Sequence, residues 1–170
     1  PPRSTPKPSS AASDVYKRQA FEDEFSRFME GHHCIAVNSG TSALHLGLLA
    51  SGIGRGHEVI IPSFTFAATA NAVALCGATP VFVDIDIDTF TLDPNAVEAA
   101  ITDKTSAVMP VHLYGHPSDM HPLTEICSRK GLILLEDAAQ ANLAAYKAKE
   151  VGTFGKAAFS FYHTKNMTRV

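Results

Sequence analysis

Three features of this sequence carry residue types that can do chemistry. Lys165 follows Ser160-Phe161-Tyr162-His163-Thr164, behind an apolar run, Ala157-Ala158-Phe159, that reads as a short buried strand. Asp137 stands in Glu136-Asp137-Ala138-Ala139-Gln140, closing the apolar run Leu132-Ile133-Leu134-Leu135. Asn38-Ser39-Gly40-Thr41-Ser42-Ala43-Leu44 opens a helix with small residues. An amine, an acid at a strand end and a helix N-terminus are the parts that a pyridoxal phosphate (PLP) site needs. The amine forms a Schiff base, the acid pairs with the pyridine nitrogen, and the unpaired N–H groups of the helix hold the phosphate.

Each part also has a plainer reading. Lys165 alone is a solvated surface charge. Asp137 could cap a helix starting at Ala138-Ala139. Thr41 and Ser42 could serve only as helix-start residues, although capping and phosphate binding use the same amides. His112 and His116 are four apart, but they fall at a strand end and in a loop around Gly115 rather than on one helix face. The spacing therefore places no third ligand, and no metal site is expected.

The elements that must position these residues alternate. The pattern predicts an amphipathic helix over Phe21 to Met29, with Phe21, Phe25 and Phe28 on one face, and an apolar strand over Cys34 to Val37. A helix from about Thr41 ends at Gly52 or Gly54, where glycine suits the left-handed cap. Strands follow at Val59 to Pro62, Pro80 to Asp84, Ala107 to Val111 and Leu132 to Leu135. The intervening helices are Thr65 to Leu75, closed by Gly77, then Pro94 to Ile101, with proline in its first turn, and Pro122 to Arg129, ending at Gly131. Continuous apolar strands alternating with helices predict an α/β fold, a three-layer sandwich with a mostly parallel sheet. In such sheets ligands bind beyond the carboxyl ends of the strands, where Asn38, Ser63, His112 and Asp137 fall.

At 170 residues the chain is long enough for one domain with a real core. A net charge of -3 gives no reason to expect nucleic acid or an anionic membrane as partner. No apolar run approaches the roughly 20 residues that span a bilayer, and no secretory signal is visible. Cys34, Cys76 and Cys127 are far apart and form no Cys-x-x-Cys pair, which fits free thiols and a cytoplasmic location. Residues 1–19 carry four prolines and four serines and are expected to be a disordered, non-native tail; Ser10 to Gln19 resembles translated adapter sequence. Residues 20–170 are expected to be the N-terminal part of a PLP-binding large domain, with its C-terminal part and a small domain absent.

Six ordered blocks resemble the DegT/DnrJ/StrS-type sugar aminotransferases of the aspartate aminotransferase superfamily (fold type I), over about Phe21 to Thr168. They are Asn38 to Leu44, Pro62-Ser63-Phe64-Thr65-Phe66-Ala67-Ala68-Thr69-Ala70-Asn71, Pro80 to Asp84, Pro110-Val111-His112-Leu113-Tyr114-Gly115, Glu136 to Gln140 and Ser160 to Asn166. The resemblance implies that Lys165 holds PLP and shuttles a proton, and that Asp137 binds the pyridine nitrogen. It places Gln140 near the 3-oxygen of the ring, Phe66 on the ring face, and Thr41, Ser42 and Ser160 on the phosphate. By spacing alone Phe66 reads as a core residue of its helix.

The activity implied is transfer of an amino group from a donor such as glutamate to the keto group of a nucleotide-linked sugar, for amino sugar and polysaccharide biosynthesis. The family forms homodimers with sites at the subunit interface, so these residues alone are expected to be inactive. Two rivals are a PLP-dependent sugar dehydratase, whose members carry histidine where Lys165 stands, and a non-catalytic regulatory paralogue. The sequence departs from the family at Asn142-Leu143, where many members have His-Gly, at Arg169-Val170, and by one residue fewer between Gly155 and Ser160. A leucine in place of glycine is costly if the backbone there needs positive φ.

Overall fold

The computed structural model describes residues 10–165. The chain divides into two compact units, Pro1–Ala36 and Val37–Val170. The first contains helix α1 (Ser10–Phe28), which begins eleven residues before the expected Phe21. Ser10 to Gln19 is therefore helical where disorder was expected, because Ala, Lys, Arg and Gln are good helix formers, and the prolines that suggested a tail all precede Ser9. Arg18 pairs with Glu22 one turn on, at 3.9 Å. Phe21 stacks on Phe25 and Phe25 on Phe28, with centroids 5.8 and 6.0 Å apart, as the spacing predicts. The expected strand at Cys34 to Val37 does not form: Ile35 is exposed and the N–H of Ala36 goes to Glu22 Oε1 at 2.8 Å rather than to a strand.

The second unit is built on strands β1 (Glu58–Pro62), β2 (Thr79–Val83), β3 (Thr105–Val108), β4 (Ile133–Ala138) and β7 (Lys156–Phe159), with a separate hairpin of β5 (Ala145–Tyr146) and β6 (Lys149–Glu150). The five main strands pair in the order β2-β1-β3-β4-β7, all parallel. The order reverses beside β1, so the carboxyl ends of β1 and β3 flank a switch point of the kind that opens a ligand crevice.

Successive strand residues face opposite sides, and both sides are apolar. Val59, Ile61, Ala107, Leu135 and Ala158 pack with Leu44 and Leu48 of α2 (Gly40–Ala50) and Ala72 and Val73 of α3 (Ala67–Leu75). Ile60, Val108 and Leu134 pack with Val97 of α4 (Pro94–Ala100) and Met120, Leu123 and Ile126 of α5 (Met120–Lys130). This is the expected three-layer sandwich, and it explains why the strands read as unbroken apolar runs. Close approach is built in at Gly47, where a Cβ would come within 2.9 Å of Leu135 Cδ1.

Pro94 and Gly131 act as expected, and two caps join them. Ser39 caps α2, its Oγ accepting from Ser42 N at 3.1 Å. Asp93 caps α4 ahead of Pro94, and α5 ends on left-handed Gly131. Two boundaries differ in ways that matter to the site. Helix α3 starts at Ala67, leaving Thr65 and Phe66 outside it, with Phe66 extended at φ -71° and ψ 141°. Strand β4 continues to Ala138, so Asp137 lies within it and no helix follows for it to cap.

Candidate functional site

The alternation of β4 sends its two acids to opposite faces. Asp137 shares a side with Leu135, toward α2 and α3, while Glu136 shares a side with Leu134. Asp137 is 5% exposed. Its Oδ2 accepts from Thr69 Oγ1 at 2.8 Å and its Oδ1 from the N–H of Ala139 at 3.2 Å. Burial pushes its carboxyl above the usual carboxylate range, and the Thr69 and Ala139 donors, with His112 and the positive charge of Lys165, pull it back.

Lys165 stands on the turn after β7, its N–H donating to Tyr162 O at 2.8 Å. Its Nζ lies 5.9 Å from the centre of the Phe66 ring, within reach of a cation–π attraction. Phe66 is 68% exposed, which rules out the core reading suggested by its spacing. His163, the neighbour that could be mistaken for the key residue, packs its ring on Tyr162 with centroids 4.3 Å apart.

Ser160 is buried one residue beyond β7, against the first residue of α2: a Cβ on Gly40 would meet Ser160 Cβ at 3.1 Å and Oγ at 3.4 Å. A glycine here lets the helix N-terminus and Ser160 form one polar edge. Ser42 contributes its hydroxyl: Ser39 Oγ donates to Ser42 Oγ at 2.9 Å, so Ser42 keeps its own proton to give. Thr41 is half-buried beside it on the first turn.

Gln140 is half-buried past the end of β4, and its Oε1 accepts from the N–H of Tyr114 at 3.0 Å. That bond steadies Tyr114 at φ 53°. With the oxygen engaged, the side-chain NH2 is the part of Gln140 left to act as donor. Thus Lys165, Phe66 and Asp137 come together electrostatically or by contact, Thr41, Ser42 and Ser160 share the α2 edge, and Gln140 borders the loop after β3.

Several residues of the site carried no decisive signal in the sequence. Thr69 read as one small helix residue among many. Glu136 is fully buried, and its carboxylate accepts from the N–H groups of Gly152, Phe154 and Gly155 at 2.8, 3.0 and 3.0 Å. Its fourth partner is His112, whose Nε2 lies 3.1 Å away while Nδ1 accepts from Ser118 N at 3.0 Å. His112 therefore donates through Nε2 and has no nitrogen left for a metal. Among the described residues no group of three or more potential ligands could hold a metal ion.

The departures from the family pattern can be placed. Asn142 is buried and donates through Nδ2 to Ser160 O at 2.9 Å. Leu143 is exposed at φ 66°, the left-handed conformation that makes leucine costly. Arg169-Val170 lies outside the described residues. The three cysteines are free, and burial pushes the Cys127 thiol up to about 11.

An acid buried near a parallel strand end, a lysine beside an aromatic ring and a helix N-terminus with serine hydroxyls share one end of an α/β sheet, and the chain belongs to the DegT/DnrJ/EryC1/StrS aminotransferase family, whose model matches residues 9–170. It is 52% identical over 149 residues to GDP-perosamine synthase of Caulobacter vibrioides, covering 87% of this chain and 40% of that protein. It is 51% identical over 150 residues to the dTDP-3-amino-3,4,6-trideoxy-alpha-D-glucose transaminase of Streptomyces venezuelae, covering 88% and 40%. The structure matches S. venezuelae DesV in complex with a ketimine intermediate at a TM-score of 0.87 and 50% identity, covering 91% of this chain and 42% of that one. It also matches NtdA of Bacillus subtilis with bound cofactor PMP, at 0.83 and 39%, covering 89% and 34%. The chain thus spans about two fifths of the length of these curated relatives. No described helix is long and apolar enough to cross a membrane.

Proposed function

We propose that the protein containing this chain is a PLP-dependent aminotransferase that moves an amino group from an amino acid such as glutamate to the keto group of a nucleotide-linked sugar. The observation that carries the reading is a buried carboxylate within electrostatic reach of a lysine ammonium at the same end of the sheet, bordered by an exposed aromatic ring and a helix N-terminus. The donor set fits PLP. An anion suits the N–H groups and hydroxyls of Thr41, Ser42 and Ser160. A flat ring suits the face of Phe66, and a donor NH2 on Gln140 suits a ring oxygen.

The cofactor, when bound, supplies a protonated pyridine ring that takes up the electron pair released at the substrate carbon. Asp137, as an anion, would accept the ring N–H and so keep that proton in place. Lys165 Nζ would hold the cofactor through its amine and would serve as the base that removes a proton from the substrate carbon and returns it. The donor amino acid leaves as its 2-oxo acid, and the sugar carbonyl becomes an amine.

The relatives' names support a nucleotide sugar as acceptor, since one is a GDP-linked and another a dTDP-linked sugar enzyme. The homodimer, the absence of a metal and a cytoplasmic location complete the proposal; free cysteines support the last. The test is to incubate the protein with PLP, reduce it with borohydride and map the modified peptide by mass spectrometry. A pyridoxyl group on Lys165 is the expected result. Labelling scattered over surface lysines, or none on Lys165, would overturn the assignment.

A further inference from the structure

Thr69 lies in the first turn of α3 and is fully buried. Its Oγ1 has one proton, and that proton points at Asp137 Oδ2, 2.8 Å away. Thr65, four residues earlier and outside the helix, places its own Oγ1 2.9 Å from Thr69 Oγ1. Since the Thr69 proton is committed to the carboxylate, Thr65 must donate to Thr69. The result is a one-way chain, Thr65 to Thr69 to Asp137, in which each bond polarises the next. The other carboxylate oxygen takes the N–H of Ala139. The charged or titratable groups that bear on Asp137 are His112, on the segment after β3, and Lys165, after β7.

We propose that Thr69, backed by Thr65, is a positioning residue that holds the Asp137 carboxyl group ionised and in one rotamer, ready to accept a ring N–H. The proposal rests on the reading of Asp137 as the partner of the pyridine nitrogen. The chain supplies what Asp137 lacks. Burial removes most of the water that would stabilise the anion, and a second hydroxyl behind the first strengthens the donor without adding a charge.

The test uses the cofactor-free chain labelled with 13C at Asp carboxyl carbons, with Asp137→Asn to assign the resonance. Thr69→Val keeps the shape and removes the hydroxyl; it should move the Asp137 midpoint upward by about one pH unit, the size of a lost hydrogen bond to a charged group. Thr69→Ser keeps the hydroxyl and should return the midpoint to within about 0.3 unit of the wild type, a small fraction of that bond. Thr65→Val should give a smaller upward shift. PLP titrations of the same proteins should show about tenfold weaker binding in Thr69→Val, the equivalent of that one-unit shift, with rescue by Thr69→Ser.

An unmoved midpoint in Thr69→Val, or a Thr69→Ser midpoint equal to that of Thr69→Val, overturns the proposal. If Thr69→Val does not fold, an unmoved midpoint in Thr65→Val overturns it, because that position is only half-buried. A shifted midpoint in a chain whose wild type fails to bind PLP upholds the threonine chain and overturns the cofactor reading instead.

Discussion

Asp137 gives up nearly all of its water in the folded chain, and its donors do not fully replace it, so its carboxyl titrates above the usual range. The folded state then binds a proton more readily than the unfolded one. Between the ordinary carboxylate value and the raised folded value, stability falls as pH rises. Above that window the cofactor-free chain carries the full penalty of a buried anion. Asp137→Asn removes the titration, so it should raise the melting temperature at pH 7 relative to the wild type, with the difference shrinking as pH falls through the window toward 3. Thermal melts at both pH values check this; a variant that loses stability at pH 7 would contradict it. The site is thus expected to exchange stability for a ready anion. Leu143 costs stability in another way. Its φ of 66° strains any side chain by about 1 kcal/mol, with only a backbone position to show for it.

At the scale of elements, Glu136 ties β4 to the segment that leads into β7. Three N–H groups of one loop, those of Gly152, Phe154 and Gly155, and His112 converge on its carboxylate, and Gly155 packs so close to Leu134 O that a Cβ would sit 2.4 Å away. This fixes where β7 starts, and hence where Ser160 and Lys165 emerge at its other end. Glu136→Gln keeps the size but turns an NH2 toward groups that are themselves donors, leaving buried N–H groups unpaired. It should cost roughly 3 kcal/mol in urea unfolding, the range for breaking a buried, hydrogen-bonded charge. A loss under about 0.5 kcal/mol, that of an ordinary surface substitution, would mean the loop is held by something else.

At the scale of the molecule, the site residues gather at one end of a single sheet, but the chain spans about two fifths of its relatives' length. The residues proposed to hold the cofactor lie within this chain, and no described residue is assigned to the nucleotide or the sugar. The 170-residue chain alone, given glutamate and PLP, should therefore form no appreciable pyridoxamine phosphate. Absorbance and chromatography of the cofactor would show it; clear turnover would mean that the partial site suffices.

The sequence alone determined the layer architecture, because strands covered on both faces must be apolar throughout, and the run-and-helix alternation at 59–135 leaves few other arrangements. It also offered candidates for the site through short motifs: Lys165 and Asp137 stand out because the chemistry proposed for them restricts residue type. It misjudged Ser10 to Gln19 and Cys34 to Val37, where local composition spoke and no packing partner was visible. The hairpin turn at Lys147-Ala148 gave no sign, since both residues take positive φ without the usual Asn-Gly. Only the tertiary structure decided which acid faces which layer, that Phe66 stays outside α3, and that Thr69 serves Asp137 while His112 serves Glu136. Those outcomes depend on register within β4 and on contacts between residues 68 and 24 positions apart, and hydrogen bonds across such distances leave no period in a sequence.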